Sequence, residues 1–166
     1  MRKNMYHRQY DSPLGNLLLE CTDTGLTGIY MNRENGYQSD DHPILDRTAS
    51  WLDAYFRGDD PSVSIPLAPE GTDFQKQVWK ILLTIPCGAT KSYGDIAREI
   101  ALLRGKKKMS AQAVGQAVGK NPVNILIPCH RVLGAGKQLT GYSSGLEKKI
   151  WLLRHEGHTI EKDIVK

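Results

Sequence analysis

Apolar and polar residues alternate first at Leu17, Leu19 and Cys21, with Leu18 and Glu20 between them, a period of two that predicts a β-strand. Pro13-Leu14-Gly15-Asn16 predicts a turn before it, and Thr22-Asp23-Thr24-Gly25 a turn after it. Leu26 to Met31 reads as a third strand, and residues 32–42 are polar and loop-like. The period then changes. Pro43 suits the first turn of a helix, and Ile44, Leu45, Thr48, Trp51, Leu52 and Tyr55 fall on one helical face, with Gly58 as the stop. Val63-Ser64-Ile65 predicts a short strand. Pro61, Pro66, Pro69 and Gly71 mark 59–71 as a connector, which sets a domain boundary between 1–69 and 70–166.

The second part is mostly helical. Thr72 or Asp73 caps a helix with face Phe74, Val78, Ile81, Leu82 and Ile85, ended by Pro86-Cys87-Gly88. Ser92 and Asp95 have capping-box spacing, and the helix they open runs to about Leu103. The basic loop Arg104-Gly105-Lys106-Lys107-Lys108 follows, and Ser110 caps a helix over 111–119. These two helices, the second lined with Ala111, Ala113, Gly115 and Ala117, resemble a helix-turn-helix; close packing of helices explains the small residues equally well. Ile125-Leu126-Ile127 is a short buried run read as a strand, and the last helix spans 146–156 with Gly157 as its stop.

The chain has 166 residues, 40% hydrophobic and 24% charged, which is ordinary for a soluble globular protein. Residues 1–10 carry no apolar run of signal-peptide length, and no stretch approaches the roughly 20 apolar residues of a membrane span. A cytoplasmic protein without membrane contact is expected. Charge adds more. Residues 1–69 hold 6 Lys/Arg and 10 Asp/Glu, whereas 70–166 hold 16 and 8, so net charges of −4 and +8 underlie the overall +4. The basic half is a candidate for a polyanion partner.

Cys21, Cys87 and Cys129 are an odd, widely spaced set that suggests neither a disulfide framework nor a zinc site. Cys21 and Cys87 read as small buried hydrophobes. Cys129 differs in its surroundings, Pro128-Cys129-His130-Arg131-Val132. A thiol near its ordinary pKa is only slightly ionised at neutral pH, so a nucleophilic role needs a base, a positive charge or a helix N-terminus nearby. A strand-to-helix junction at Pro128-Cys129 would supply N–H dipoles.

The run Asn121-Pro122-Val123-Asn124-Ile125-Leu126-Ile127-Pro128-Cys129-His130-Arg131-Val132 resembles the signature of the O6-alkylguanine-DNA alkyltransferases. The resemblance extends over 72–157, through Gly141-Tyr142-Ser143 and Trp151-Leu152-Leu153-Arg154-His155-Glu156-Gly157, and takes in Phe74 to Ala97 and Ala113-Val114-Gly115. It implies an α/β (α+β) chain: a ribonuclease H-like N-terminal domain, mainly antiparallel sheet with a helix, then a mainly helical DNA-binding and alkyl-acceptor domain with a helix-turn-helix. It implies irreversible, stoichiometric transfer of an alkyl group from O6-alkylguanine, with O4-alkylthymine a candidate second substrate, to Cys129 after nucleotide flipping. The expected partner is double-stranded DNA carrying the lesion, bound by a monomer without metal or cofactor.

By the same resemblance, His130 and Glu156 are the pair that activates Cys129 through a water. Tyr93 aids flipping and donates a hydrogen bond to the guanine, and Asn121 is the hinge between the DNA-binding helix and the active-site segment. The Val132 carbonyl, the Ser143 backbone and Tyr142 are placed with the substrate. Lys149 occupies a position also linked to the leaving group, but even beside the resemblance it reads as a solvated helix charge. Ser110, Ala111, Gln112, Ala113 and Gly115 match the residues lining the minor groove. Arg104, Lys106, Lys107, Lys108 and Arg131 are assigned to the phosphates. Taken alone, Tyr93 is a helix-start aromatic, His130 and Glu156 are ordinary polar residues, and Asn121 is a turn residue. Gln112 stands where better-studied members carry an arginine that fills the gap left by the flipped base, and Ser144 where a glycine is common. Two other readings compete. An alkyltransferase-like binding protein would lack the acceptor cysteine, and a cysteine hydrolase would not need a basic helix-turn-helix.

Overall fold

The computed structural model describes residues 4–31, 33 and 39–166, so most of the polar stretch 32–38 lies outside the described residues. The chain forms two compact units, residues 1–70 with Pro122–Leu126, and 71–121 with 127–166.

The first unit is a three-stranded antiparallel sheet, β1 (Tyr6–Ser12), β2 (Gly15–Cys21) and β3 (Leu26–Met31), in sequential order. Ser12 pairs with Gly15, so the hairpin turn is Pro13-Leu14, and Gly15 and Asn16 open the strand rather than closing the turn. Gly15 has φ +97, where a side chain would be strained. Leu17, Leu18 and Leu19 are all buried, so β2 has no solvent face over these residues. Helix α1 (Pro43–Phe56) packs on β1 and β2. His42 is its N-cap, accepting the Ile44 N–H at Nδ1 (3.1 Å), and Gly58 follows at φ +100. The short strand expected at 63–65 is absent. Pairing occurs at Pro66–Ala68 instead: Leu26 N–H donates to Pro66 O and Ala68 N–H to Leu26 O, both at 2.8 Å. Proline can only accept, which suits a single bridge and not a ladder.

The five residues Pro122–Leu126 also belong to this unit. Ile29 N–H donates to Pro122 O (3.0 Å), and Asn124 Nδ2 donates to Ile29 O (2.9 Å). They cover the edge of β3, whose free N–H and C=O groups would otherwise face outward. The strand expected at 125–127 does not form. Leu126 N–H reaches Asn124 O, two residues back (2.8 Å), closing a tight turn round Ile125 at φ +72. A β-branched residue is rarely held there, and such γ-turns are strained.

In the second unit, α2 (Asp73–Leu82) starts with a Thr72–Gln75 capping box and ends before Ile85, three residues short of Pro86. Trp79 is buried, and its Nε1 donates to Ala117 O (2.9 Å), tying α2 to α4 (Ala111–Gly119). The Ser92–Asp95 capping box opens α3 (Tyr93–Leu103), and Ser110 caps α4 through the Ala113 N–H. Helices α3 and α4 pack together across a seven-residue connection, 104–110, longer than a typical helix-turn-helix turn. Strand β4 (Lys91–Ser92) pairs in parallel with β5 (Val132–Leu133), joining the start of α3 to the chain just after Cys129. Helix α5 (Leu146–His155) is stopped at Gly157, φ +99. A closing hairpin, β6 (Ile160–Glu161) and β7 (Ile164–Val165), turns through Lys162 and Asp163, both at positive φ. Leu133, Leu139, Leu153 and Val165 pack together beneath it.

Candidate active site

Two small turns set the position of Cys129. Pro128 (φ −82, ψ 65) sits in a three-residue turn closed by Cys129 N–H to Ile127 O at 2.8 Å, and Cys129–Arg131 then form one 3-10 turn. The residue is only 4% exposed. Burial pushes its thiol pKa up, opposed by hydrogen bonds from Asn121 and Tyr142 and by the charge of Lys149. At rest the sulfur is therefore a protonated thiol. The helix-dipole activation expected from a strand-to-helix junction is not available, because a three-residue turn has little macrodipole.

Behind it lies a buried charge network. His130 Nε2 is 2.6 Å from Glu156 Oε2, and both side chains are fully buried. Arg131 grips the same carboxylate with Nε (2.7 Å to Oε1) and Nη2 (3.1 Å to Oε2), and its Nη1 donates to Ile85 O (2.6 Å). Burial alone would raise the Glu156 pKa, but the hydrogen bonds and charges of His130 and Arg131 outweigh it and hold the carboxyl well below the ordinary range. Burial pushes the His130 pKa down; Glu156 opposes this, and the charges of Arg131 and Lys149 reinforce it. A neutral imidazole facing an ionised carboxylate must present Nε2–H to it. That fixes the tautomer and leaves the basic lone pair on Nδ1, which is buried and makes no hydrogen bond among the described residues.

This arrangement corrects one expectation. Arg131 is 8% exposed with its guanidinium committed to Glu156 and Ile85, so it is not a phosphate contact. No local signal distinguishes it, since its partners lie 25 and 46 residues away.

Lys149 is the second correction. It is 1% exposed, not solvated, and its Nζ donates to Val132 O (2.7 Å) and Thr140 O (3.4 Å). Burial pushes its pKa down to about 8. A signal was present in the sequence: Lys149 lies three residues after Leu146 and four before Leu153, inside the apolar face of α5. The Val132 carbonyl keeps one lone pair beyond the Lys149 bond.

Tyr93 opens α3, and its hydroxyl lies 3.0 Å from Thr140 Oγ1. Burial pushes its pKa up, with a smaller contribution from Cys129. A Cβ at Gly115 would lie 3.7 Å from the Tyr93 ring, so the small residue on α4 sits against the phenol. Thr140 is a member of this site that no motif in the sequence marks. Asn121 is buried, with Nδ2 donating to Ile127 O (2.8 Å) beside its bond to Cys129. Ser143 is exposed, and Tyr142 and Ser144 are half-buried. Cys129, His130, Glu156, Asn121, Tyr142, Lys149 and Val132 thus form one connected cluster.

Ser110, Ala111, Gln112, Lys106, Lys107 and Lys108 are exposed. Ala113 and Gly115 are half-buried, so the solvent face of α4 is Ala111, Gln112, Gln116 and Gly119. Arg104 is exposed but held by Gln77 (2.7 Å). A groove of about 370 Å³ runs along α3 past Arg98 and Leu102 to Lys106, Lys107, Lys108 and Ala111. Among the described residues, no group of three or more His, Cys, Asp or Glu is placed to hold a metal ion, and no helix is long and apolar enough to cross a membrane.

Residues 73–158 match the family described as "6-O-methylguanine DNA methyltransferase, DNA binding domain", and residues 5–69 match "6-O-methylguanine DNA methyltransferase, ribonuclease-like domain". The chain is 43% identical over 161 residues to a methylated-DNA--protein-cysteine methyltransferase of Methanosarcina acetivorans, covering 92% of this chain and 99% of that one. A Mycobacterium leprae protein of the same name is 40% identical, over 92% and 93% of the two chains. The crystal structure of Mycobacterium tuberculosis OGT in complex with DNA superposes with a TM-score of 0.79 at 41% identity, covering 91% of this chain and 92% of that one.

Proposed function

The chain belongs to the 6-O-methylguanine DNA methyltransferase family, and from that membership we propose that it repairs O6-alkylguanine in double-stranded DNA by moving the alkyl group onto Cys129. Residues 70–166 are assigned DNA binding and alkyl acceptance, and residues 1–69 a separate α/β domain. The substrate carbon is inaccessible within a stacked duplex, so the nucleotide is flipped out. Helix α4 enters the minor groove, and Lys106, Lys107 and Lys108 meet the phosphates.

The observation that carries this reading is the locked imidazole: His130 Nε2 is tied to Glu156 at 2.6 Å, with Nδ1 left as the base one residue from a buried thiol. His130 Nδ1 takes the Cys129 proton through one bridging water. The sulfur attacks the alkyl carbon; the S–C bond forms as the O6–C bond breaks, and the electron pair of that bond goes to the guanine. Glu156 supports the imidazolium, and Lys149 and Asn121 favour the thiolate. Tyr93 donates a hydrogen bond to the base as its negative charge develops. The guanine then takes up a proton, so the hydrogen lost by sulfur is balanced on the base. The product thioether has no good leaving group at neutral pH, so one molecule repairs one lesion. The monomer acts in the cytoplasm, whose reducing conditions suit a protein with three free cysteines.

Incubation with excess O6-methylguanine duplex followed by intact and peptide mass spectrometry tests this. We expect one methyl group per protein, on the Cys129 peptide, and none in Cys129→Ala. Tight DNA binding without a mass change would instead indicate a recognition protein, and repeated turnover would eliminate the stoichiometric mechanism.

A further inference from the structure

We infer that Arg131 is a positioning residue that sets the pH range of alkyl transfer: by sharing the Glu156 carboxylate it keeps His130 neutral and able to accept the thiol proton. The inference rests on the reading above that His130 is the base.

The geometry distributes one anion between two partners. Glu156 Oε1 is engaged by Arg131 Nε at 2.7 Å, and Oε2 by both Arg131 Nη2 (3.1 Å) and His130 Nε2 (2.6 Å). The third guanidinium contact, Nη1 to Ile85 O at 2.6 Å, anchors the fork to the backbone after α2. A bidentate fork of this kind fixes the plane of the carboxylate and hence the direction of its bond to the imidazole.

The charges facing His130 can be named. Glu156 follows the last residue of α5, Lys149 lies within α5, and Arg131 comes from the same turn as His130. Burial is the main influence that keeps His130 neutral; Glu156 opposes it, and the charge of Arg131, with that of Lys149 after it, works against the carboxylate. A histidine paired with a buried carboxylate alone would be stabilised as the cation and would hold its own proton at neutral pH. Such an imidazole could not accept one from Cys129. Arg131 therefore preserves the hydrogen bond that orients His130 while limiting how far the carboxylate raises its basicity.

Arg131→Gln keeps hydrogen-bonding groups but removes the charge, and Arg131→Lys keeps the charge but loses the fork. Single-turnover transfer is measured from pH 5 to 9 with saturating O6-methylguanine duplex. The His130 ring is titrated in parallel by NMR in the full chain. In Arg131→Gln, both the His130 titration and the acid limb of the rate profile move up by about one to two pH units, which is about a ten- to hundredfold loss on the acid limb. In Arg131→Lys both stay near the wild-type values. A purely structural role would lower stability in both variants and move neither curve. Glu156→Gln supplies the opposite arm should Arg131→Gln not fold, because it leaves the cation without its counter-ion and moves the His130 titration down. An unmoved His130 titration in Arg131→Gln, or an upward move in Glu156→Gln, overturns the inference. A His130 titration that moves while the rate profile stays fixed overturns it differently, by showing that His130 is not the base.

Discussion

Replacing Lys149 with methionine separates the stability of this fold from its chemistry. The Lys149 ammonium is 1% exposed and, among the described residues, donates to two carbonyls, at 2.7 and 3.4 Å. Its pKa falls from 10.5 to about 8. The unfolded chain therefore binds more protons than the native chain between about pH 8 and 10.5, and the Lys149 contribution to stability rises with pH across that window. Keeping the side chain charged at pH 7 costs roughly 3 kcal/mol. Methionine removes that cost, and the absence of the hydrogen bonds to Val132 and Thr140 offsets it at about 1 kcal/mol each. Lys149→Met should thus lie within about 1–2 kcal/mol of wild type at pH 7. Relative to the variant, wild type should gain roughly 2–3 kcal/mol between pH 7 and 10. Cys21 and Cys129 have raised pKa values and pull stability the other way at alkaline pH, so the comparison must be the difference between the two proteins. Alkyl transfer should slow by about tenfold or more, because the thiolate loses its nearby cation. Urea titrations at pH 7, 8, 9 and 10, with single-turnover kinetics, read both quantities. The reasoning is refuted if the stability difference is independent of pH, or if transfer is unchanged.

Other consequences are equally direct. Glu156→Ala strands Arg131 as a buried cation and should cost about 3–5 kcal/mol, seen as a large drop in urea midpoint. Because the Glu156 pKa is depressed, its contribution is fully present above the unfolded carboxyl value and is lost as the pH falls below about 4.3, so acid unfolding of wild type should begin there and weaken in Glu156→Gln. Neutralising Lys106, Lys107 and Lys108 together should weaken DNA binding and reduce the slope of log K against log salt by roughly 0.9 for each phosphate no longer neutralised; an unchanged slope would remove this loop from the interface. Ser144→Gly should raise benzyl transfer relative to methyl transfer when the two adducts compete, and an unaltered ratio would show that Ser144 does not narrow the pocket.

Features that depend on neighbours along the chain were legible in the sequence. Ser92 with Asp95, Thr72, Ser110, Pro43 and Gly58 set helix ends through contacts spanning three or four residues, and a local pattern carries that information. The motif around Cys129 marked the nucleophile, and resemblance supplied its partner Glu156. The electrostatics came from the packed molecule. Whether Arg131 meets phosphate or carboxylate depends on Glu156, 25 residues later, and whether Lys149 is wet or dry depends on what covers α5. Ile125 at φ +72 replaced an expected strand because residues 122–126 join the edge of β3, nearly a hundred positions earlier in the chain. A charge has no fixed meaning in a linear pattern: its energy is set by burial and by distant partners, and folding alone brings those together.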